Sequence, residues 1–362
     1  MIDDHAHPFD LEPGPFDPSA LSLDVHDDAG LAERRRSLGP TRLAQELLVS
    51  RLAGRLGCRP EEIVDARAEA ARDWGAYVSA LFRDAGIRGV VLDSDIWGPA
   101  GDAVGRLAEL SGASMHVIHR IDPHVDELVE AGAGAADILE EVHRRMRSAA
   151  ASGAVGFKTI LAYRTGLAVD PAADLASAER SLHGPEPVRR RGKACRDLVM
   201  RTALGVAAEL GRPFQVHTGF GDSDLRLAQS NPLLLEDLLR SEEGRGAQVV
   251  LIHGSYPWHE EVAYLAATKP NVHVDLSLSN IFAPLTVADR LARILELAPA
   301  SKVLLGTDGH GQPESFWFAA KIVREAWGEV RGRMAQVGAR EPWLDDVEDR
   351  IFQRNARGLY GL

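Results

Sequence analysis

Short apolar runs recur along this chain, and stretches with helical periodicity separate them. Apolar runs that alternate with amphipathic helices predict parallel strands in a sheet that is buried on both faces. With the N-terminal IDDHAH segment there are eight runs, which predicts a (β/α)8 barrel, the TIM-barrel fold. An open doubly wound sheet is the competing architecture, but no Gly-x-Gly-x-x-Gly turn follows any run. The later runs occupy residues 88–95, 114–122, 154–164, 213–222, 248–256, 271–279 and 302–310.

The segment between the first and second predicted strands, about residues 10–88, is far longer than an ordinary connection. It is rich in Leu and Ala rather than Ser and Gly, and its apolar positions follow the helical period. Pro60 followed by Glu61 and Glu62 is typical of a helix N-terminus. We therefore expect a helical cap, inserted after strand one of a single barrel domain that spans residues 1–362.

Composition and charge exclude several classes of function. The chain has 362 residues, of which 45% are hydrophobic and 26% are charged, as in a soluble globular protein. Its 53 acidic and 41 basic residues give a net charge of −12, which argues against nucleic-acid partners. No apolar run reaches the length of a membrane span, and the N-terminus lacks a secretion signal. Cys58 and Cys195 are too few for a disulfide framework, so we expect a cytoplasmic protein.

The polar residues at the ends of these runs are types that bind metals or move protons. His5 and His7 are two residues apart, so both side chains point to the same side of a strand. In a (β/α)8 barrel the carboxyl ends of the strands line one mouth, where the active site is built. Residues kept only for stability would instead be scattered over loops and helix faces. The candidates at the strand ends are His5, His7, Lys158, His217, His253 and Asp308.

Imidazole and carboxylate side chains are suited to Zn²⁺ and to related divalent ions such as Mn²⁺. One ion could leave a position open for water while it is held by His5, His7, His217 and Asp308. The pKa of that water would fall to roughly 7, and Asp308 could accept its proton. His253 could bind a second ion, or it could stabilise an oxyanion in the substrate. We therefore expect one or two metal ions per chain.

The order of these motifs resembles the amidohydrolase superfamily of metal-dependent (β/α)8 enzymes. Its pattern of His-x-His, an occasional Lys, then His, His and Asp corresponds here to IDDHAH, GFKT, FQVHTGFGD, VLIHGSYP and LLGTDG. The closing NARGLY segment is similar to that family's C-terminal helix, so the resemblance covers nearly the whole chain outside the insertion. KTILAYRTGL, HTGFGDSD, HGSYP and TDGHGQPE resemble one branch, the amidohydrolase-like domain joined to glutamine-synthetase-like enzymes in fungal FluG and plant nodulin-related proteins. Because the 362 residues of this sequence include no synthetase half, we expect no ATP-dependent ligation.

Lys158 admits three interpretations. In several members of the superfamily that the chain resembles, a strand-four lysine is carboxylated by CO₂ and bridges two metals, whereas members with one metal need no bridge. A free lysine beside a dication would be repelled, so Lys158 must be modified, deprotonated or neutralised by a substrate anion. It is therefore a candidate metal ligand, a candidate substrate-binding residue or an ordinary structural lysine.

Four further residues are candidates for substrate binding. Tyr163 and Arg164 follow strand four, and Arg164 could bind a substrate carboxylate through two hydrogen bonds. A surface salt bridge is the alternative interpretation of Arg164. His310 and Glu314 lie just beyond Asp308, and they could contact the substrate or support the metal ligands.

These residues, together with the resemblance, predict an enzyme that hydrolyses a C–N bond with metal-activated water, and the resemblance implies that this bond belongs to an amide. The resemblance suggests an amide of the γ-glutamyl type, so we expect a small polar substrate that carries a carboxylate. The first alternative is metal-dependent decarboxylation of a small unsaturated or aromatic carboxylate, without a hydrolytic water. The second is a metal-binding scaffold that has lost turnover, and the complete set of ligands argues against it. A small molecule is the expected partner, and homo-oligomer formation stays open.

Overall fold

The structure of the chain is a computed structural model that describes residues 1–23, 37–94 and 102–362. Eight parallel strands form one sheet in chain order, with helices between them, so the predicted (β/α)8 barrel is confirmed. Each strand lies within one of the predicted apolar runs and is shorter than the run. The strands are β1 (Ile2–Ala6), β2 (Gly89–Asp93), β3 (Ser114–Arg120), β4 (Gly156–Thr159), β5 (Phe214–His217), β6 (Val249–Ile252), β7 (Val272–Leu276) and β8 (Val303–Leu305).

Backbone hydrogen bonds join the last strand to the first at their carboxyl ends. The Asp308 N–H donates to the His5 carbonyl at 2.8 Å, and the His7 N–H donates to the Gly309 carbonyl at 2.8 Å. On the other side of β8, the Gly306 N–H donates to the carbonyl of Leu276, the last residue of β7, at 3.2 Å. The segment that follows β8 is therefore held between β7 and β1.

Helices occupy most of the chain between the strands, as the barrel topology requires. None of the helices in the described ranges is long and apolar enough to cross a membrane. They are α1 (Leu43–Leu56), α2 (Ile63–Ala70), α3 (Trp74–Ala85), α4 (Ala103–Ser111), α5 (Asp122–Glu130), α6 (Ala135–Ala151), α7 (Leu175–Ser181), α8 (Lys193–Glu209), α9 (Glu236–Arg240), α10 (Glu242–Gly246), α11 (His259–Thr268), α12 (Ser279–Phe282), α13 (Val287–Leu297), α14 (Pro313–Gln336), α15 (Glu341–Asp349) and α16 (Asn355–Tyr360).

The predicted helical insertion after the first strand is present as α1, α2 and α3. Pro60–Glu62 forms a 3₁₀ turn that leads into α2, with the proline where its missing N–H costs nothing. α3 buries an apolar face that includes Leu81 and Phe82, and the residue that follows it, Gly86, has a φ of 66°. That left-handed conformation favours glycine, which has no Cβ to clash. Part of the predicted insertion, residues 24–36, lies outside the described residues.

Contacts within the chain group it into two compact units, each with its own apolar core. In the first unit the rings of Phe9, Phe82 and Phe316 pack together, with centroids 5.3 to 5.7 Å apart. In the second unit Phe157 on β4 and Phe214 on β5 are fully buried, with ring centroids 6.4 Å apart. The single-domain interpretation stays a prediction. The first unit consists of Met1–His116, Leu276–Ala292 and Leu305–Gln353, and the second consists of Val117–Asp275, Arg293–Leu304 and Arg354–Leu362.

His273 on β7 predicts a pH dependence of stability. Burial and the nearby charge of Lys302 lower the pKa of His273 from 6.5 to about 4. The unfolded chain therefore binds a proton that the folded chain resists, and stability falls as the pH drops from about 6.5 toward 4. We expect the free energy of unfolding of the wild type to fall between pH 7 and pH 5, and that of His273→Gln to fall by about 1–2 kcal/mol less. Urea unfolding at the two pH values measures this difference.

The control for this experiment is His183→Gln, because the side chain of His183 is 76% exposed. Its unfolding free energy should follow the wild-type pH profile. Identical pH profiles for the wild type and His273→Gln would contradict the prediction.

Candidate metal centre

Two histidines and one aspartate converge at the carboxyl end of β1. His5, His7 and Asp308 are each less than a tenth exposed. The ring centroids of His5 and His7 are 5.1 Å apart. His5 Nε2 lies 3.2 Å from Asp308 Oδ1, and His7 Nε2 lies 3.5 Å from the same oxygen. The structure therefore brings three of the predicted metal ligands together.

The backbone of β2 fixes the tautomer of His7. His7 Nδ1 lies 3.1 Å from the carbonyl oxygen of Asp93. A carbonyl oxygen only accepts hydrogen bonds, so Nδ1 must carry the hydrogen. In the neutral ring this leaves the lone pair on Nε2, the nitrogen that faces Asp308. A backbone carbonyl that holds the other ring nitrogen is the usual support of a metal-binding histidine.

Asp93 is a candidate ligand that the sequence analysis missed. It is the last residue of β2, it is fully buried, and its carboxylate belongs to a group with His5 and His7. One donor atom from each of the three residues lies within 4.8 Å of the others. This set of imidazoles and carboxylate fits a divalent ion such as Zn²⁺. The rule used for the other strand ends would have found Asp93, because the run RGVVLDSD also ends in acidic residues.

Asp308 is held in position by its neighbour Thr307. The Thr307 N–H and Oγ1 bind the two carboxylate oxygens of Asp3 on β1, at 2.8 and 2.5 Å. Burial raises the pKa of Asp3 to about 7, and the hydrogen bonds from Thr307 limit that rise. Asp308 itself has a φ of 54°, a left-handed conformation that is uncommon outside glycine and costs on the order of 1 kcal/mol. The surrounding hydrogen bonds hold the residue in this conformation.

His217 and His253 form a second buried pair, at the ends of β5 and β6. His253 Nε2 lies 3.0 Å from His217 Nδ1. His217 is in register with Ile252, so regular alternation would send the next side chain, that of His253, to the opposite face of the sheet. The strand ends here instead, and His253 has a φ of 70°, with its N–H donating to Asp275 Oδ1 at 3.1 Å. This left-handed bend accompanies the contact between the two rings.

Lys158 lies on the same face of the sheet as His217. It is in register with Gln215, two residues before His217, and side chains two residues apart share a face. It is also in register with Arg120 on β3, and both long cationic side chains are almost fully buried. Tyr163 follows β4, and its ring contacts the His217 ring with centroids 4.7 Å apart. The second unit therefore groups three predicted site residues, Lys158, Tyr163 and His217.

Arg164 is buried, so the ion pair that it makes is not a surface salt bridge. Its Nε and Nη2 bind Asp126 Oδ2 at 2.8 Å, and Arg196 Nη2 binds Asp126 Oδ1 at 2.8 Å. One carboxylate is thus shared by two guanidinium groups, which leaves an excess positive charge. Arg164 Nη1 is buried and has no hydrogen-bond partner among the residues that the structure describes.

His310 and Glu314 lie beside Asp308 and the helical insertion. His310 Nδ1 donates to the carbonyl of Asp308 at 3.0 Å. Glu314 is fully buried, and its Oε1 accepts hydrogen bonds from Arg67 Nε at 2.7 Å and from Tyr77 Oη at 2.8 Å. Glu314 Oε2 has no hydrogen-bond partner within the described ranges. The insertion helices α2 and α3 therefore supply both partners of this carboxylate.

A family model described as Amidohydrolase matches residues 2–362 of the chain. The chain belongs to the amidohydrolase family. Protein fluG of Emericella nidulans is 36% identical to this chain over 227 residues. The match covers 58% of this chain and 26% of fluG, so the chain matches about a quarter of that relative's length. The resemblance that the motifs predicted is therefore confirmed.

Solved structures share the fold of this chain. A candidate metal-dependent hydrolase from Lactobacillus casei ATCC 334 has a TM-score of 0.82 at 24% identity, covering 99% of this chain and 95% of that one. Uronate isomerase from Thermotoga maritima has a TM-score of 0.68 at 15% identity, with 99% and 94% covered. Glucuronate isomerase from Caulobacter crescentus has a TM-score of 0.66 at 15% identity, with 100% and 91% covered. At these identities the likeness establishes the fold and not the reaction.

Gly221 leaves room for the contact between Tyr163 and His217. A Cβ at position 221 would lie 1.9 Å from Tyr163 Oη and 3.1 Å from His217 Nε2. We expect Gly221→Ala to push the phenol away and to destabilise the fold by about 1–3 kcal/mol, as overpacking does. The loss should appear as a lower urea midpoint, and Tyr163→Phe in the same chain should recover part of it.

Gly328→Ala in α14 is the matched control, because nothing lies within 4 Å of its Cβ position. Alanine in a helix interior should leave stability unchanged or raise it by about 0.5–1 kcal/mol. If Gly221→Ala were as stable as the wild type, the close packing described for Tyr163 would be wrong.

Proposed function

We propose that this protein is a metal-dependent hydrolase that cleaves the C–N bond of an amide in a small polar substrate bearing a carboxylate. The observation that carries the proposal is the buried contact of His5 and His7 with Asp308, beside Asp93, at the ends of strands in an amidohydrolase. Two imidazoles with carboxylates form a donor set that suits zinc and related ions. A divalent ion bound there supplies a Lewis acid that polarises a carbonyl and lowers the pKa of water.

His5, His7, Asp308 and Asp93 are the residues that we propose to hold the metal in the first unit. For His217, His253 and Lys158, which lie in the second unit, the roles in metal binding and catalysis stay predictions, made because strand ends in a (β/α)8 barrel line one active-site face. If His217 donates its Nδ1 hydrogen to His253, the lone pair of His217 lies on Nε2, as a metal-binding histidine requires. His253 would then position His217, while its role toward an oxyanion stays a prediction.

The proton steps fall to Asp308 in this proposal. Its carboxylate takes the proton of the attacking water and returns it to the departing amine nitrogen, so that an acid and an amine leave. The hydrogen bonds that Thr307 makes to Asp3 hold the backbone next to Asp308 in one orientation during these proton transfers. A positioned acid–base group of this kind contributes about 10²–10⁴-fold to rate.

The charge and burial of Arg164 favour a substrate that carries a carboxylate. Its excess positive charge is buried, and the Nη1 group that lacks a partner in the described ranges could donate to an anion. Tyr163, the residue before it, contacts His217, which connects Arg164 to the candidate ligands of the second unit. Among carboxylates, we propose a γ-glutamyl-type amide as the first substrate to test.

The metal prediction is tested by elemental analysis and native mass spectrometry of protein purified without added metal. We expect one or two divalent ions per chain, and lower occupancy in His7→Ala, which removes a donor, and in Asp93→Asn, which removes the charge of the carboxylate. His183→Ala, which changes an exposed residue, should retain the wild-type metal content. A mass gain of one CO₂ that is absent from Lys158→Ala would identify a carboxylated lysine. Protein that holds no metal, and takes up neither zinc nor manganese, would refute the proposal.

The reaction is tested with γ-glutamyl amides in water enriched in heavy oxygen. Hydrolysis should place one heavy oxygen in the carboxylate product and release a free amine. We expect Asp308→Asn to lower kcat by about 10²–10⁴-fold, because it removes the proton acceptor. Release of CO₂ without incorporation of heavy oxygen would mean a decarboxylase, and a product with the substrate's mass would mean an isomerase.

A further inference from the structure

A cavity of about 180 Å³ lies beside the segment that follows β8. Its lining includes the polar residues Asp10, His310 and Glu314 and the apolar residues Leu21 and Leu48. All of these residues belong to the first unit. The volume is several times that of the smallest cavity that can hold a water molecule, so a short organic group could enter it.

The carboxylate of Glu314 is held rigidly at this cavity. Arg67 and Tyr77 both donate to Oε1, so neither of them satisfies Oε2. Glu314 is fully buried, and its Oε2 has no hydrogen-bond partner among the described residues. An unpaired buried carboxylate oxygen is unfavourable, and a bound hydrogen-bond donor would remove that cost.

The charges around the cavity favour a cation. Asp10 and Glu314 contribute two negative charges, whereas Arg67 contributes one positive charge. The guanidinium of Arg67 is already engaged, since it also donates to the Gly14 carbonyl at 2.7 Å and stacks on the Trp74 ring at 4.9 Å. Burial and the charge of Glu314 raise the pKa of Asp10, with Arg67 acting in the opposite direction. A single positive charge in the cavity would balance this group.

We propose that this cavity binds a primary alkylammonium group, with its N–H groups directed to Glu314 and Asp10 and its carbon chain against Leu21 and Leu48. An ammonium ion supplies only hydrogen-bond donors, and its alkyl stem matches the apolar part of the wall. A small inorganic cation would leave that apolar wall unused. An anion would meet the two carboxylates and be repelled.

The cavity is connected to the candidate metal centre through the backbone. His310 donates to the carbonyl of Asp308 at 3.0 Å, and the Asp10 N–H donates to the Gly311 carbonyl at 2.6 Å. This inference rests on the proposed function. The amide substrate then carries an ammonium group in addition to its scissile bond. An amide formed between a carboxylate and one end of a diamine is a substrate of this class.

Binding is tested first, without catalysis, by calorimetric titration of the purified metal-loaded protein with n-butylammonium and with n-butanol. We expect saturable binding of n-butylammonium that is at least tenfold tighter than that of the neutral alcohol. Glu314→Gln keeps an oxygen for Arg67 and Tyr77 but replaces Oε2, so it should weaken binding at least tenfold. Asp10→Asn, at an exposed residue, should weaken binding without threatening the fold.

Glu325→Gln is the matched control. Glu325 lies on the same helix, α14, and pairs with Arg51 of the insertion at 2.8 Å, but its side chain is 54% exposed. It should bind n-butylammonium like the wild type. Equal binding of the alcohol and the ammonium ion, no binding of either, or wild-type affinity in both Glu314→Gln and Asp10→Asn would overturn the inference.

A second measurement separates this inference from the proposed function. We expect γ-glutamyl amides of 1,4-diaminobutane to have a kcat/KM at least tenfold above those of n-pentylamine, which has similar length and no second charge. Hydrolysis of both amides at equal rates would refute the ammonium site and leave the hydrolase proposal intact. Binding of n-butylammonium with no hydrolysis of any amide would support the site and refute the proposed reaction.

Discussion

The buried hydrogen bonds between Asp3 and Thr307 determine much of what this chain can do. They join residues 304 positions apart in sequence and tie the first strand to the segment after the last one. The next residue, Asp308, donates its N–H to His5 and presents its carboxylate to both histidines of β1. A carboxylate is buried at a cost of several kcal/mol unless it is hydrogen-bonded. Asp3 satisfies that requirement and at the same time aligns the residues that surround the candidate metal centre.

The same strand therefore serves structure and chemistry at alternate positions. The pairing of β1 with β2 shifts register between Asp3 and Ala6, so the alternation of faces is not regular along this segment. Asp3 binds Thr307, while the two histidines stand at the candidate centre. A slip of one residue in this strand would turn these side chains away from their present partners, so the register of the first strand is strongly specified.

The strands and most of the residues at their ends could be predicted because both depend on local pattern. Eight apolar runs predict eight strands, and polar residues after them predict one functional face. The orientation of His253 could not be predicted, because its contact with His217 accompanies a left-handed backbone that ends β6 early. Asp93 could have been predicted by the same rule, because its run also ends in acidic residues. The surroundings of Glu314 depend on Arg67, 247 positions away, and no local pattern encodes such a contact.

The dependence of Glu314 on α2 and α3 has a consequence for the history of the insertion. Arg67 and Tyr77 come from inserted helices, whereas Glu314 begins a helix of the barrel itself. A chain that exchanged its insertion for another without these two donors would leave a charged carboxylate buried and unpaired, at a cost of about 3–5 kcal/mol. The insertion and the start of α14 must therefore be inherited, transplanted or redesigned as one unit. In a recombined enzyme, the acceptable crossover points would be those that keep all three residues from a single parent.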